Sequence, residues 1–425
     1  MGGKRMGLGL YLHGKFRHKP RVARTGNENT IFRRLAELGY RYAKSLGSPF
    51  PTVYRAMAED DALFISFLPI EENVEFSISN GHLIVSAKTS SLGPGYHAAL
   101  VGFLDSIEQE LELKWIEGGD YLDETGYFGN RDIGQAQRAM ADLLGAIADS
   151  LLKAGQDGCT GYRLSLPIEC APIHDAFAIS LLGEWSKDWF FEAARAQGEN
   201  LLARAREFFP WWDFPLSGDD YRKLGLAFCW VVVTWVCPSD ASEAAINRAV
   251  LSFFDRAREY DASVGIPEME ERELERLITT RVDGSPSRNG IGFCRRDWQR
   301  PLTGGWTVRL PGYFHSDSED NGETQVYHFG PRMVCSSSFE QESWATTSSD
   351  DVLSDIAPDA LPLSLGHPHL RGGYESVKDE KRGNIFVAHI AKANSLCVLT
   401  IPLTSEVDLP WAIQVARSVF IPPDE

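Results

Sequence analysis

Few side chains in this sequence are placed to do chemistry. The first candidate is Gly93-Pro-Gly-Tyr-His97. Gly93 and Gly95 stand at a helix start, where free N–H groups and a partial positive charge favour an anion. In one reading they hold an anionic small molecule, with His97 and Asp120 as acid–base groups. In the other, the glycines let two segments pack closely at a tight crossover. The loop has neither the lysine nor the spacing of a phosphate loop.

The second candidate is the glycine-rich acidic stretch from Glu117 to Asp132, with Asp120, Asp123 and Glu124. It reads as a solvated connection, as a hard-cation site lacking calcium-loop spacing, or as a contact patch for a basic partner. In the last case Tyr121, Tyr127 and Phe128 are the aromatic anchors. The binding residues expected on that reading are Asp120, Tyr121, Asp123, Glu124 and Tyr127. Asp317, Glu319 and Asp320 join them from a second acidic connection, Ser316 to Glu323. His367-Pro-His369 could chelate a metal, but a histidine pair beside prolines is more often a turn.

Other signatures are missing. There is no GxSxG elbow, phosphate loop, HExxH or EF-hand loop, and Gly7-Leu-Gly9 lacks the third glycine of a dinucleotide fingerprint. The seven cysteines are odd in number and form no CxxC pair, which suits reduced thiols rather than disulfides or zinc. The expectation is a non-enzyme with no cofactor and no metal.

The elements that must carry these residues are legible. Asn80-Gly81 lies between two alternating runs and signals a type I′ hairpin. A two-residue turn pairs Ser79 with His82, Ile78 with Leu83, Phe76 with Val85 and Val74 with Ala87. One face is then apolar, and Glu75 opposite Ser86 lies on the other. Leu100, Phe103, Leu104, Ile107 and Leu111 follow as a helical stripe, with Ser90 or Ser91 as cap. Leu8, Leu10 and Leu12 predict an earlier strand. Ile31, Leu35, Leu38 and Tyr42 predict a helix stopped by Gly47 and Pro49. Leu63 to Leu68 predicts a further strand, and a helix is predicted from Asp132.

From about Asp175 the pattern predicts helices over Phe177–Leu182, Trp185–Phe209, Asp219–Cys237, Ala241–Tyr260 and Pro267–Ile278. Their tryptophans read as core side chains at helix crossings. Arg281 to Gly305 reads as a linker or exposed loop. Strands return at Thr307–Leu310, Thr324–Phe329, Met333–Ser337, Asn384–Ile390 and Ser395–Leu403, and a last helix begins at Asp408. Glu340 to Asp359 reads as polar and mobile. The fold class is α+β, with mostly antiparallel sheets and packed helices. The expected parts are an N-terminal α+β domain at 1–170, a helical segment at 171–290 and a C-terminal antiparallel β domain with a terminal helix at 291–425.

The 425 residues carry a formal charge of −17 and are 43% hydrophobic, ordinary for a globular chain. The charge is uneven. Residues 1–55 hold twelve Lys and Arg against Glu28 and Glu37, so the remainder is strongly acidic. An acidic body repels nucleic acid and attracts basic surfaces. The basic start either docks on that body or serves as a nucleic-acid arm; the former is the expectation. The longest apolar run, Leu224 to Val236, is too short to span a bilayer, and the N-terminus lacks a secretory pattern. A cytoplasmic protein without membrane or nucleic-acid partners is expected.

In its acidic body and its aromatic-bearing acidic loop Gly119-Asp120-Tyr121-Leu122-Asp123-Glu124, the chain resembles bacterial immunity proteins, especially those paired with type VI secretion nuclease effectors. The resemblance rests on overall character and transfers no functional residue. It implies a toxin inhibitor acting by protein–protein interaction with a basic effector. The alternatives are the enzyme at the Gly93–Gly95 helix start, and a scaffold protein.

Overall fold

A computed structural model describes residues 7–17, 28–59, 61–118, 122–157, 161–166, 176–235, 238, 241–279, 291–293, 297–312, 314–318, 324–329, 332–340, 347–379, 383–403 and 408–421. The chain divides into two units, Met1–Gly292 and Phe293–Glu425. The expected segments 1–170 and 171–290 both fall in the first unit, and the second unit begins at Phe293.

The first unit is built on a seven-stranded sheet. Its strands are β1 (Gly9–Phe16), β2 (Arg55–Glu59), β3 (Ala62–Ser66), β4 (Val74–Ser79), β5 (His82–Lys88), β6 (Leu113–Ile116) and β7 (Leu122–Asp123). They run in the order β2-β3-β4-β5-β1-β6, with β7 also on β1, and every pairing is antiparallel. Asn80 and Gly81 take φ of 52° and 76°, as a type I′ turn requires. The turn sets Ser79 opposite His82, Ile78 opposite Leu83 and Phe76 opposite Val85. Leu10, Leu12, Leu63, Ile65, Val74, Phe76, Leu83 and Val85 then share one buried face. A slip of one residue would turn all of them to solvent.

Three helices pack in this part of the unit: α1 (Glu28–Leu46), the short α2 (Phe50–Val53) and α3 (Pro94–Glu110). α3 is buried continuously from Pro94 to Val101, which marks a central helix rather than a half-wet one. Its N-cap is Gly93, without a side-chain hydrogen bond, so the expected Ser90 or Ser91 cap is not used. Phe103 meets the rings of Phe67 and Phe76 at 5.2 and 6.1 Å.

The next helices are α4 (Tyr127–Asn130), α5 (Ile133–Ala154), α6 (Lys187–Arg195), α7 (Glu199–Phe208), α8 (Gly218–Val231), α9 (Ala241–Tyr260) and α10 (Glu268–Thr279). Residues of α8, α9 and α10 join the sheet's own hydrophobic core. That shared core is why the helical stretch does not separate as its own unit. α5, α6 and α7 enclose a second core around Phe190, Phe208 and Trp212.

Two predicted helices differ. Phe177–Leu182 instead holds β9 (Ala178–Ser180), which follows β8 (Tyr162–Arg163) in a parallel pair and turns at Gly183, φ 106°, into β10 (Gly183–Trp185). A six-residue apolar run has too few periods to separate strand from helix. Trp185–Phe209 is two helices, broken where Gly198 takes φ 54°.

In the second unit, β11 (Asp297–Pro301) and β12 (Thr307–Pro311) form a two-stranded ribbon. A separate seven-stranded antiparallel sheet contains β13 (His315–Ser318), β14 (Thr324–Phe329), β15 (Arg332–Glu340), β16 (Leu361–Leu363), β17 (Arg371–Asp379), β18 (Gly383–Lys392) and β19 (Ser395–Leu403). Its order is β13-β14-β15-β19-β18-β17-β16. α11 (Ser349–Ile356) lies in the stretch expected to be mobile, capped by the Ser348 hydroxyl, and buries Val352. α12 (Asp408–Arg417) ends the unit. β11 likewise lies within the stretch expected to be a linker or loop. Among the described residues, no helix is long and apolar enough to cross a membrane.

Candidate functional site

The glycine turn before α3 is closed. The Gly95 N–H donates to the Trp211 carbonyl at 3.1 Å, and the Trp211 N–H donates to the Leu92 carbonyl at 2.9 Å. A Cβ on Gly93 would lie 2.7 Å from that same Trp211 oxygen, and one on Gly95 would strike the Trp211 ring and the Asp213 carbonyl. The crossing loop is itself fixed by buried Asp220, whose carboxylate accepts from the N–H groups of Trp212 at 2.7 Å and Ser217 at 2.9 Å. The glycines therefore serve close packing, and the helix start offers no seat to an anion. Gly95→Ala tests this cleanly. Helix propensity alone would favour alanine by about 1 kcal/mol. The steric cost is larger, so the variant is expected to lose about 2 kcal/mol and unfold at lower temperature. A thermal scan showing stabilisation would contradict the close approach.

His97, one turn into α3, is fully buried. Its Nδ1 lies 2.8 Å from Thr89 Oγ1, and its Nε2 lies 3.0 Å from Thr125 Oγ1 and 3.2 Å from Asp123 Oδ1. Asp123 Oδ1 also accepts from the Thr125 N–H and hydroxyl, each at 2.8 Å, and Oδ2 accepts from the Phe128 N–H at 2.6 Å. A proton on Nε2 lets the ring donate towards Asp123 and Thr125. Burial by itself would raise the Asp123 pKa. Its hydrogen bond and charge interaction with His97, with the Phe128 and Thr125 N–H groups, outweigh that and lower it to about 2. The constellation ties the α3 start to the β7–α4 turn inside the core.

This placement corrects two expected contacts. Asp123 is 3% exposed and Tyr127 8%, so neither presents a surface to a partner. Their polar groups were legible, but burial is set by β7 pairing with β1, as in Leu10 opposite Asp123, between residues far apart in the chain. Glu124 is exposed, although its Oε2 also accepts the Gly9 N–H at 2.8 Å. Asp317 is exposed in the second unit and pairs with His328 at 2.9 Å. Asp120, Tyr121, Glu319 and Asp320 lie outside the described residues. So do Cys159, Cys170, Cys237 and Cys294. The His367 ring packs on Phe420 at 4.5 Å and on His369 at 5.8 Å. Among the described residues there is no group of three metal-ligating side chains.

The basic start is partly engaged within its own unit. Arg17 pairs with Glu108 at 3.7 Å, and Arg34 and Arg41 both pair with Glu110 at the end of α3. These pairs are solvent-exposed and individually weak, but they place cations over those carboxylates.

The sequence reading missed a site on the other face of the sheet. Cross-strand register places Met57, Phe64, Glu75, Ser86, Tyr11 and Leu122 in one row across β2, β3, β4, β5, β1 and β7. Part of that row floors an open cleft of about 690 Å³, with Glu72, Glu75, Glu124 and Lys88 among its lining. Lys88 is held by Glu72 at 2.7 Å. Three carboxylates against one paired ammonium make the cleft negative. Tyr11 and Phe64 are half-buried and Leu122 is exposed, so the floor has apolar surface as well. The only sequence signal was Glu75 opposite Ser86 on the hairpin's polar face. The rest of the row comes from strands distant in the chain.

No family model matches this chain, and no curated protein matches it. Among solved structures, a crystal structure of a protein from Bacteroides thetaiotaomicron is similar over 30% of this chain, at 14% identity and a TM-score of 0.24. The chain spans about half the length of that protein, 49%. A likeness at that level carries no argument.

Proposed function

We propose that this chain is a non-enzymatic binding protein that neutralises a basic partner, in the manner of bacterial immunity proteins that inhibit type VI secretion nuclease toxins in the cytoplasm. One observation supports it most: the acidic cleft on the outer sheet face, with Glu72, Glu75 and Glu124 around an aromatic floor. A toxin that grips nucleic acid presents lysines and arginines. Carboxylates draw them in at long range, and the apolar floor with Phe64 and Leu122 suits the aliphatic stem of an arriving lysine or arginine. The same contact competes with phosphate for the toxin's surface. His97 and Asp123 have structural roles in this reading, because both are sealed from solvent.

Capture with the product of the adjacent gene tests the reading. A complex should form at low salt, with an association rate that falls as salt rises. Glu75→Lys, at an exposed position, should slow association about tenfold while leaving the fold intact. Recovery of no complex at low salt, or a rate indifferent to both salt and Glu75, would count against it.

A further inference from the structure

β2 is an edge of the first unit's sheet, and all five of its residues are exposed. Among the described residues, no strand pairs with its outer side. Its unpaired backbone groups are therefore a template for another strand. Met57 is 53% exposed. Tyr40, itself 49% exposed, packs edge-on at 5.9 Å against Tyr54, the residue before β2, which adds apolar surface beside this edge.

The sequence of the strand is Arg55-Ala-Met-Ala-Glu59. Run antiparallel against a copy of itself and centred on Met57, it sets Arg55 opposite Glu59, Ala56 opposite Ala58 and Met57 opposite Met57. Both ends then carry an opposite-charge pair, and the middle is apolar. Parallel pairing would set arginine against arginine and glutamate against glutamate. A slip of four residues would also bring like charges together. Charges on an edge commonly discourage pairing, but these two attract when the partner is the same strand reversed.

We infer that two copies of this chain associate through β2, antiparallel and centred on Met57, joining their sheets edge to edge. The inference is independent of the acidic-cleft reading and needs no other partner. The isologous geometry is the usual one for a homodimer. Five residues form a small contact, so the dimer is weak, with a Kd of about 50 µM.

Sedimentation velocity of the full chain from about 5 to 500 µM reads the association directly. The weight-average mass should climb towards twice the monomer. Glu59→Arg alone, or Arg55→Glu alone, should weaken the dimer at least about tenfold by setting like charges opposite each other. The double variant R55E/E59R should restore it. Mixing the two single variants should also restore it, because one edge is then all basic and the other all acidic. Circular dichroism should find every variant folded, since the altered side chains are exposed; Met57→Lys is a further fold-neutral disruptor. A mass that stays monomeric throughout overturns the inference. So does a dimer indifferent to the single swaps, or one that neither the double variant nor the mixture restores.

Discussion

Asp123→Asn is expected to destabilise the first unit by about 3 kcal/mol, nearly as much as Asp123→Ala. Aspartate and asparagine have the same shape, so packing is not the reason. Both oxygens of Asp123 accept: Oδ1 from the Thr125 N–H and hydroxyl, and Oδ2 from the Phe128 N–H. An amide must turn its NH₂ towards one of those donors, leaving two donors face to face in a dry site. The native carboxylate's pKa is lowered to about 2. A depressed acid contributes stability above its unfolded pKa, and this contribution disappears as pH falls through about 2. Urea unfolding of wild type and variant at neutral pH and in acid should therefore give curves that converge at low pH. A constant gap across the range would show that the carboxylate charge is not what matters.

Glu71→Gln is expected to do the opposite and stabilise the protein at alkaline pH. Glu71 is half-buried as a residue but its Oε2 is sealed from solvent, and that burial pushes its carboxyl up to about 8, against the partial opposition of Tyr96 and the Phe67 and Leu68 N–H groups. Its Oε1 accepts from those N–H groups at 2.6 and 3.3 Å. Its Oε2 and the Tyr96 hydroxyl have no hydrogen-bond partner of ordinary geometry. A raised acid holds its proton more tightly when folded. No penalty exists below the unfolded value near 4.5; it grows as pH rises and is complete above about 8. Over that window wild type should lose about 5 kcal/mol relative to the glutamine variant. Glutamine keeps the Oε1 acceptor and places a neutral NH₂ where Oε2 was. Denaturation across pH 5 to about 9 should give a difference that widens with pH and levels off above about 8. Parallel curves would mean that Glu71 titrates as an ordinary surface acid.

Much of the architecture was legible because local physics dictates it. Asn80-Gly81 can form one turn cheaply, and that turn has one register that buries Phe76 and Val85 together. Stripes at helical spacing located α1 and α3. Less was legible where a run was short or polar. β17, Arg-Gly-Gly-Tyr-Glu-Ser-Val-Lys-Asp, alternates poorly, and pairing with β18 along its whole length stabilises it. α11 lies in a stretch that reads as polar and mobile because a helix of eight residues shows little periodicity, although its Ser348 cap is there to be read.

By itself, the sequence determined the α+β character, the central hairpin and the acidic body, and it left the glycines at 93 and 95 open between an anion seat and a close approach. Only the tertiary structure decided which polar groups remain on the surface. Asp123 and Glu124 are neighbours of identical charge, yet pairing with β1 turns the first into the core and leaves the second outside. The cleft was likewise barely legible, because its floor is assembled from β1, β3, β4, β5 and β7. Periodicity records which side of its own element a residue faces; which other elements cover that side depends on contacts between distant parts of the chain.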